Sequence, residues 1–270
     1  MTDTIKLTFD LGGTNTRVAE VDHGSLGTAN KFLTPEDPEE GIAALIESAK
    51  KLANGRAVTG ICGDVSGITK ENTIYHLPNL LRWDKAPLAE RLREAFNAPV
   101  TIFNDVELVG LGEYLYGAGK GEGSMVYLSV STGVGGALIK NGEIERGEYN
   151  MEVGHQIIDG GRELEELISG TAVEKKYGIH PSALTDKKAL NELADTLATG
   201  LYNITLHLSP RCIVLGGAMI AGKNPIPIER TEETLKSMVA KYYPSAPRIK
   251  KAMLGDQGGL YGGMGCLERT

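Results

Sequence analysis

Cysteine is scarce in this chain, and so are the signals of an extracellular or membrane protein. Three cysteines occur among 270 residues, at positions 62, 212 and 266, with no CxxC pair. This argues against a disulfide framework or a cysteine zinc site and favours a reducing compartment. The sequence shows no signal peptide, and no stretch reaches the roughly 20 apolar residues that span a bilayer. We therefore predict a soluble, cytoplasmic protein without a membrane partner.

Basic blocks are missing as well. The chain has 28 lysines and arginines against 35 acidic residues, for a formal net charge of −7. Because nucleic-acid binding depends on clustered positive charge, we expect no nucleic-acid partner. The hydrophobic content of 41% and the length allow two modest domains with their own cores.

Two glycine-rich turns, each between two short strands, are the most informative features that are present. The first turn, at residues 12–14, divides the segment 4–22, and the second, at residues 131–136, divides the segment 125–140. Glycine lets the backbone approach a ligand closely, and the N–H groups and threonine hydroxyls of such turns bind phosphate oxygens. Because the pattern occurs twice, we predict duplicated halves that hold a polyphosphate between them.

The rest of the chain reads as alternating helices and strands, which predicts an α/β protein. We place the domain boundary near residue 106, which gives domains 1–106 and 107–270, and we expect the ligand in a cleft between them. Helices are predicted over 39–53, 88–96, 106–116, 187–208 and 226–242, strands over 58–62, 100–103, 212–215 and 248–254, and a terminal helix after residue 259.

Carboxylates follow two of the predicted strands. Asp10 comes just before the first turn, where it is a candidate to hold Mg²⁺ beside phosphates; the alternative is an Asp that caps the turn. Asn104 and Asp105 follow an apolar strand, at the open strand ends where α/β folds bind ligands. A carboxylate at position 105 can accept a proton from an attacking hydroxyl, whereas the alternative is a helix N-cap.

A carboxylate and an imidazole lie close together after the second pair of strands. Glu152 and His155 can both contact neighbouring hydroxyls, such as those of a sugar. The alternative is metal ligation, since Glu and His both bind Zn²⁺, but no further His or Cys cluster follows. A later segment, 217–224, almost matches the P-loop pattern, yet Asn224 replaces the required Ser or Thr. We expect that loop to pack near a nucleotide base.

The order of these motifs resembles the ROK family of bacterial sugar kinases, within the actin-like ATPase superfamily, over nearly the whole chain. The first phosphate loop and the ExGH motif are the most specific matches. The matching segments are 10–17 (DxGGTxxR), 78–83 (the segment near the sugar), 104–105 (the ND pair), 131–136 (the second phosphate loop), 152–155 (ExGH) and 215–217 (the adenosine-side glycines).

This resemblance implies two ribonuclease-H-like domains with an active-site cleft between them, a terminal helix that packs on the first domain, and a homodimer. It implies that Asp105 is the catalytic base and that Asp10 holds Mg²⁺ through water. The residues implied to bind ATP are Gly12, Gly13, Thr14, Asn15, Arg17, Thr132, Gly133, Gly135, Gly136, Gly216 and Gly217. The residues implied to bind the sugar are Asn79, Asn104, Asp105, Glu152, His155 and Glu165.

The chain departs from the family pattern after ExGH. Zinc-containing members continue with CxCGxxGCxE, but residues 156–166 contain no cysteine, so the resemblance implies no zinc site. In the family a sugar-binding Glu lies four residues before a Ser-Gly pair, and counting back from Ser169 selects Glu165. Glu166 is the alternative, because the segment is shortened.

We therefore expect an ATP-dependent hexose kinase, with glucose phosphorylated at its 6-hydroxyl as the favoured reaction. The alternatives are an N-acetylhexosamine kinase, a fructokinase, a polyphosphate-dependent glucokinase and a non-catalytic sugar-binding ROK protein. Repressors of the family carry a helix-turn-helix domain ahead of the first loop. Only nine residues precede Asp10, so we expect no DNA binding.

Overall fold

Two mixed five-stranded sheets with the same strand order form the framework of the chain. The computed structural model describes residues 4–269. These residues divide into two units. The first comprises residues 4–116, Arg146–Asn150 and 256–269, and the second comprises Gly117–Glu145 and Met151–Gly255. The α/β class predicted from the sequence is confirmed.

The sheet of the first unit has the order β3-β2-β1-β4-β7. Its first three strands are antiparallel neighbours, whereas β1, β4 and β7 run parallel. The parallel strands therefore end at one edge, where the register pairs Asp10 with Asp64 and Val65 with Asn104. The strands are β1 (Thr4–Leu11), β2 (Asn15–Asp22), β3 (Ser25–Leu33), β4 (Ala57–Val65) and β7 (Val100–Asn104), with a separate hairpin of β5 (Ile68–Lys70) and β6 (Thr73–Tyr75).

Helix α1 of the first unit begins and ends at recognisable capping residues. Asp37 accepts hydrogen bonds from the N–H groups of Glu39 and Glu40 at the start of α1, and Asn54 ends it in the left-handed conformation. Apolar residues of α1 and α2 join the strands in one core around the fully buried Trp83. The helices are α1 (Pro38–Ala53), α2 (Leu88–Phe96), α3 (Asp105–Leu115) and α9 (Gly258–Arg269).

The second unit repeats the arrangement, with the order β10-β9-β8-β13-β14. Here β8 pairs antiparallel with β9 and parallel with β13, and α6 packs its leucine stripe into the core. The strands are β8 (Ser124–Val130), β9 (Val134–Lys140), β10 (Glu143–Glu145), β13 (Cys212–Gly216) and β14 (Arg248–Lys251), with a small pair of β11 (Ile157–Asp159) and β12 (Arg162–Glu163). The helices are α4 (Leu164–Ile168), α5 (Gly170–Tyr177), α6 (Lys187–Leu208), α7 (Ala218–Ala221) and α8 (Ile228–Val239).

Most predicted elements form, with shifts at their ends. Helix α6 has the predicted bounds, whereas α8 is shorter than the predicted 226–242 at both ends. The strand predicted over 248–254 ends at Lys251. The first unit continues beyond residue 106 through α3 to Tyr116. Within residues 4–269, no helix is long and apolar enough to cross a membrane.

Candidate active site

The first glycine turn is fixed by hydrogen bonds to its own hairpin and to the end of β3. The N–H of Gly12 donates to the carbonyl of Asn15 at 3.1 Å, and the N–H of Thr34 donates to the carbonyl of Thr14 at 3.0 Å. The Thr34 hydroxyl donates to the Gly12 carbonyl at 2.7 Å. A Cβ on Gly13 would lie 2.6 Å from the Cβ of Asn79, so the turn requires glycine there. Asn79 thus lies beside the predicted phosphate loop.

Asp10 is oriented by an arginine that the same hairpin supplies. Arg17 is its register partner on β2, and the Arg17 Nη1 lies 2.8 Å from the Asp10 Oδ2. The Arg17 Nη2 also pairs with the exposed Asp256 at 3.0 Å, just before α9. The alternative interpretation of Asp10 was a residue that caps the glycine turn. In the structure its carboxylate is paired with the side chain of Arg17.

Asp64 is a buried acid at the same sheet edge that the sequence reasoning missed. Its side chain is 1% exposed, and within residues 4–269 neither of its carboxylate oxygens has a hydrogen-bond partner. Burial raises the pKa of Asp64 well above its ordinary value, and the nearby carboxylates of Asp10 and Asp105 raise it further. The signal in the sequence was its position just after the predicted strand 58–62; in the structure Asp64 lies near the end of β4, which runs parallel to β1.

Asn104 and Asp105 mark the junction between β7 and α3. Asn104 is the N-cap: its Oδ1 accepts hydrogen bonds from the N–H groups of Val106 and Glu107, and its Nδ2 donates to the Gly67 carbonyl at 2.9 Å. The helix-capping role that was the alternative for Asp105 therefore belongs to Asn104. One oxygen of Asp105 accepts from the Val106 N–H at 2.9 Å, which orients this carboxylate at the sheet edge.

The second glycine turn, in the second unit, is held against the start of α5. The N–H of Gly170 donates to the Ser131 carbonyl at 2.7 Å, and the Thr171 hydroxyl donates to the Thr132 carbonyl at 2.8 Å. Inside the turn, the N–H of Ser131 donates to the Gly133 carbonyl at 2.8 Å. These contacts give the loop a defined shape next to a helix N-terminus, where anions bind favourably.

The two alternative glutamates of the shortened segment have different environments. The Oε2 of Glu165 accepts a hydrogen bond from the Val134 N–H at 2.7 Å and lies against the second turn, where a Cβ on Gly133 would come within 2.5 Å of it. Glu166 instead accepts from the N–H of Glu163 at 3.1 Å and caps α4. The geometry therefore favours Glu165 as the residue available beside the phosphate loop.

His155 has an acidic partner that the sequence reasoning did not single out. Its Nδ1 lies 2.6 Å from the Oε2 of Glu163, and its Nε2 lies 3.8 Å from the Oε2 of Glu152. The hydrogen bond with Glu163 raises the pKa of His155, and the charges of Glu163, Glu165 and Glu152 add to the shift. Glu163 lies at the end of β12, and only the folded chain reveals this pairing.

A cavity of about 290 Å³ opens beside the second turn, within the second unit. Gly217 has a φ of 87°, and a Cβ there would lie 2.3 Å from the Val130 carbonyl oxygen, so only glycine fits where this loop crosses β8. The segment that almost spells a P-loop lines one wall through the short helix α7 and the residues after it. The polar lining includes Ser131, Thr132, Thr171, Glu174, His180 and Asn224.

The residues at the sheet edge fit Mg²⁺ held mainly by water and phosphate. Asp10 offers one carboxylate that is partly exposed, and Mg²⁺ commonly uses one or two carboxylates together with waters and substrate phosphates. In the part of the chain that the structure describes, no group of three or more His, Cys, Asp or Glu side chains could hold a metal ion by itself.

Comparisons with known proteins identify the family of this chain. The family model described as the ROK family matches residues 6–269. The chain is 28% identical over 261 residues to a fructokinase of Lactococcus lactis subsp. cremoris, covering 90% of this chain and 88% of the relative.

Two solved structures are similar over nearly their full length. The ROK hexokinase from Thermus thermophilus has a TM-score of 0.86 and 27% identity, covering 98% of this chain and 99% of that one. A ROK family glucokinase from Streptomyces griseus, in complex with glucose and AMPPNP, has a TM-score of 0.78 and 22% identity, covering 98% and 100%. The chain therefore has the two-domain actin-like ATPase fold and belongs to the ROK family of sugar kinases.

Proposed function

We propose that this protein transfers the γ-phosphoryl group of ATP to a hexose, with the 6-hydroxyl of glucose as the favoured acceptor. The observation that carries the proposal is the oriented carboxylate of Asp105 at the edge where three parallel strands end. Glucokinase and fructokinase activities are named for similar proteins, and the glucose and AMPPNP bound by one of them support the same ligand classes here.

In the proposed reaction, Asp105 takes the proton from the sugar hydroxyl as its oxygen attacks the γ-phosphorus. General-base catalysis of this kind contributes roughly 10²–10⁴ in rate. The Val106 N–H donates a hydrogen bond to one carboxylate oxygen of Asp105, which fixes the orientation of the group.

The nucleotide is proposed to lie along the second turn, with its base and ribose in the adjoining cavity and its phosphates beside the amides of residues 132–136. Residues 12–14 of the first turn are proposed to supply further contacts to the phosphates, and Arg17 keeps the Asp10 carboxylate oriented. When bound, Mg²⁺ would neutralise charge on the transferred phosphate, with Asp10 holding it through water. Much of phosphoryl-transfer catalysis is positioning together with this charge stabilisation.

The sugar is proposed to contact Glu152, His155 and Glu165, with Asn79 and Asn104 as further predicted contacts. The pair of His155 and Glu163 gives an imidazole of fixed orientation, which suits recognition of a hydroxyl. The Asn104 carboxamide already bonds Gly67 and the start of α3, so any sugar contact must be added to those bonds.

A coupled assay over a panel of acceptors tests the proposal. Glucose, fructose, N-acetylglucosamine and N-acetylmannosamine are each offered with Mg²⁺ and either ATP or polyphosphate as donor. We expect turnover with ATP, the highest kcat/KM for glucose, and a 6-phosphate product identified by NMR. Turnover with polyphosphate but not with ATP would show that polyphosphate, and not ATP, is the phosphoryl donor. Measurable sugar binding without turnover from either donor would contradict the enzymatic proposal and favour a non-catalytic sugar-binding protein.

A further inference from the structure

A five-residue segment from the middle of the chain belongs to the first unit, although the residues on both sides of it belong to the second. This segment, Arg146–Asn150, follows β10 and precedes the proposed sugar-binding Glu152 by a single residue, Met151. It has no regular secondary structure, so its position depends on side-chain contacts. Those contacts converge on the β5 strand and on the start of α3.

Arg146 makes the most extensive of these contacts. Its Nε lies 2.8 Å from the Oε1 of Glu107, and its Nη2 donates to the carbonyl and hydroxyl oxygens of Thr69 at 3.0 and 2.6 Å. The guanidinium carbon lies 5.6 Å from the centre of the Phe103 ring. The side chains of Glu107 and Thr69 are 2% and 0% exposed, so these bonds form away from water, where they are strong.

The other oxygen of Glu107 connects this ion pair to the proposed catalytic strand end. Its Oε2 accepts a hydrogen bond from the Asn104 N–H at 3.2 Å, while Asn104 caps the N–H of Glu107 in return. A single buried carboxylate therefore bridges the Arg146 guanidinium and the peptide that precedes Asp105. This capping box differs from an ordinary surface one, because its acid is buried and has a cationic partner.

The far end of the segment is held as well. The Oδ1 of Asn150 accepts a hydrogen bond from the Thr69 N–H at 3.1 Å, and Lys70 pairs with Glu148. Arg146 and Asn150 thus bind the same residue, Thr69, from the two ends of the segment. The chain that leads to Glu152 therefore begins at Asn150, whose side chain is hydrogen-bonded to Thr69.

We propose that Arg146 is a positioning residue for phosphoryl transfer: through Glu107 it holds the backbone of Asn104, and hence the carboxylate of Asp105, while it anchors the chain that leads to Glu152. This inference rests on the proposed function. Neither Arg146 nor Glu107 is expected to touch a substrate. Their effect is on geometry, and a misplacement of about 1 Å can cost roughly 100-fold in rate.

The first test is Arg146→Met in the 270-residue chain. We expect kcat to fall by roughly 10- to 100-fold, with the KM for ATP within about twofold of wild type. The matched control is Arg56→Met, which breaks an ion pair with Glu20 in the same unit; the two arginines are 25% and 24% exposed. Arg56→Met is expected to leave kcat unchanged, although it lowers stability. Equal losses of kcat in the two variants would overturn the proposal.

A double variant separates positioning from a general loss of stability. In Arg146→Met the buried Glu107 carboxylate loses the guanidinium that pairs with it and is drawn towards water, which releases the Asn104 N–H. Glu107→Gln keeps an oxygen acceptor for that N–H without the charge. We therefore expect Arg146→Met/Glu107→Gln to recover at least fivefold in kcat over Arg146→Met. Multiplicative losses in the double variant would contradict the proposed link.

If Arg146→Met fails to fold, Arg146→Lys replaces it. Lysine keeps the charge but cannot reach Glu107 and Thr69 together.

Hydrogen exchange distinguishes failure of this inference from failure of the proposed function. If the wild-type protein phosphorylates no hexose, the proposed function fails by itself. Exchange of the backbone amides in residues 103–107 still reports whether Arg146 holds Asn104, because it needs no turnover. We expect faster exchange there in Arg146→Met and wild-type exchange in Arg56→Met. Unchanged protection in Arg146→Met would overturn the positioning role.

Discussion

Asp10 and Asp64 occupy paired register positions on the parallel strands β1 and β4, and Asp64 is buried. The Asp10 carboxylate is balanced by Arg17 at 2.8 Å. Within the described residues, Asp64 has no hydrogen-bond partner for either oxygen. Burial raises the pKa of Asp64, and the charges of Asp10 and Asp105 raise it further. In the folded protein this carboxyl therefore stays protonated at pH values at which an ordinary aspartic acid has ionised.

The first prediction follows from that pKa. An aspartic acid in the unfolded chain has a pKa of about 3.9. Above about pH 4 the folded state therefore keeps a proton on Asp64 that the unfolded chain has lost. The free energy of unfolding therefore falls as the pH rises from the unfolded pKa towards the raised folded pKa. Asp64→Asn removes this dependence and is expected to be the more stable protein at pH 8. Urea unfolding from pH 4 to 8 without Mg²⁺ measures it. Glu94→Gln, an exposed acid on α2, is the control. Parallel curves for wild type and Asp64→Asn would refute the assignment.

Asp105→Asn tests the proposed general base. Because the amide keeps the shape and cannot accept the proton, we expect kcat to fall by roughly 10²–10⁴ while the Kd for the sugar stays within about twofold. Steady-state kinetics and calorimetric titration of the sugar give the two quantities. Asp22→Asn, at an exposed acid that ends β2, serves as the control. Near-full activity of Asp105→Asn would show that another group accepts the proton.

Local patterns predicted the parts of the fold that depend on neighbours along the chain. The leucine periodicity of α6 gave its bounds, and the polar residues after apolar strands indicated that Asp10 and Asp105 lie at sheet ends. The unpredicted features join distant positions. Glu163 meets His155 only because β12 returns beside it, and Arg146 meets Glu107 only because the segment 146–150 lies on the first unit. Such pairs depend on tertiary packing, which no local spacing encodes.

The choice between Glu165 and Glu166 can be decided by two single substitutions. Glu165 lies beside Gly133 and Val134, whereas Glu166 caps α4 through the Glu163 N–H. Loss of a hydrogen bond to a charged group costs about 1.5–3 kcal/mol, so we expect Glu165→Gln to raise the hexose KM by roughly 10- to 100-fold. Glu166→Gln is expected to change it less than threefold. The opposite ranking would assign the sugar contact to Glu166.

The pair of His155 and Glu163 gives a prediction about ionisation. Because the hydrogen bond with Glu163 raises the pKa of His155, the pair stabilises the fold below the ordinary histidine pKa, and this contribution is lost as the pH rises through the raised value. Glu163→Gln is therefore expected to lower the pKa of His155, as followed by NMR titration of the ring protons. The ring of His180, whose Nδ1 partner is the Ser182 hydroxyl, provides the internal control. An unchanged His155 titration would contradict the pairing.

Substitution of the same histidine should affect the KM values of the hexose and of ATP differently. His155→Ala is expected to raise the hexose KM by roughly 10-fold, because the proposed hydrogen bond between the imidazole and a sugar hydroxyl is lost. The KM for ATP should change far less, since the cavity beside the second turn is lined by other residues. Initial rates with each substrate varied in turn separate the effects. Equal increases in both KM values would count against a sugar contact.

The last prediction concerns the packing of α3 on α9. Helix α3 begins at Asp105, directly after β7. A Cβ on Gly112 would lie 2.4 Å from the Gly258 carbonyl oxygen and 3.0 Å from the Gly262 nitrogen, and these backbone atoms cannot rotate away. Overpacking costs about 1–3 kcal/mol, against a gain of at most about 1 kcal/mol from the helix propensity of alanine. We expect Gly112→Ala to lower the free energy of unfolding in urea. Gly265→Ala in α9 is the matched control, because its Cβ meets the terminal Cδ1 of Leu115, a side-chain atom that can move. If Gly112→Ala proves as stable as Gly265→Ala, the two helices do not pack as closely as these glycines indicate.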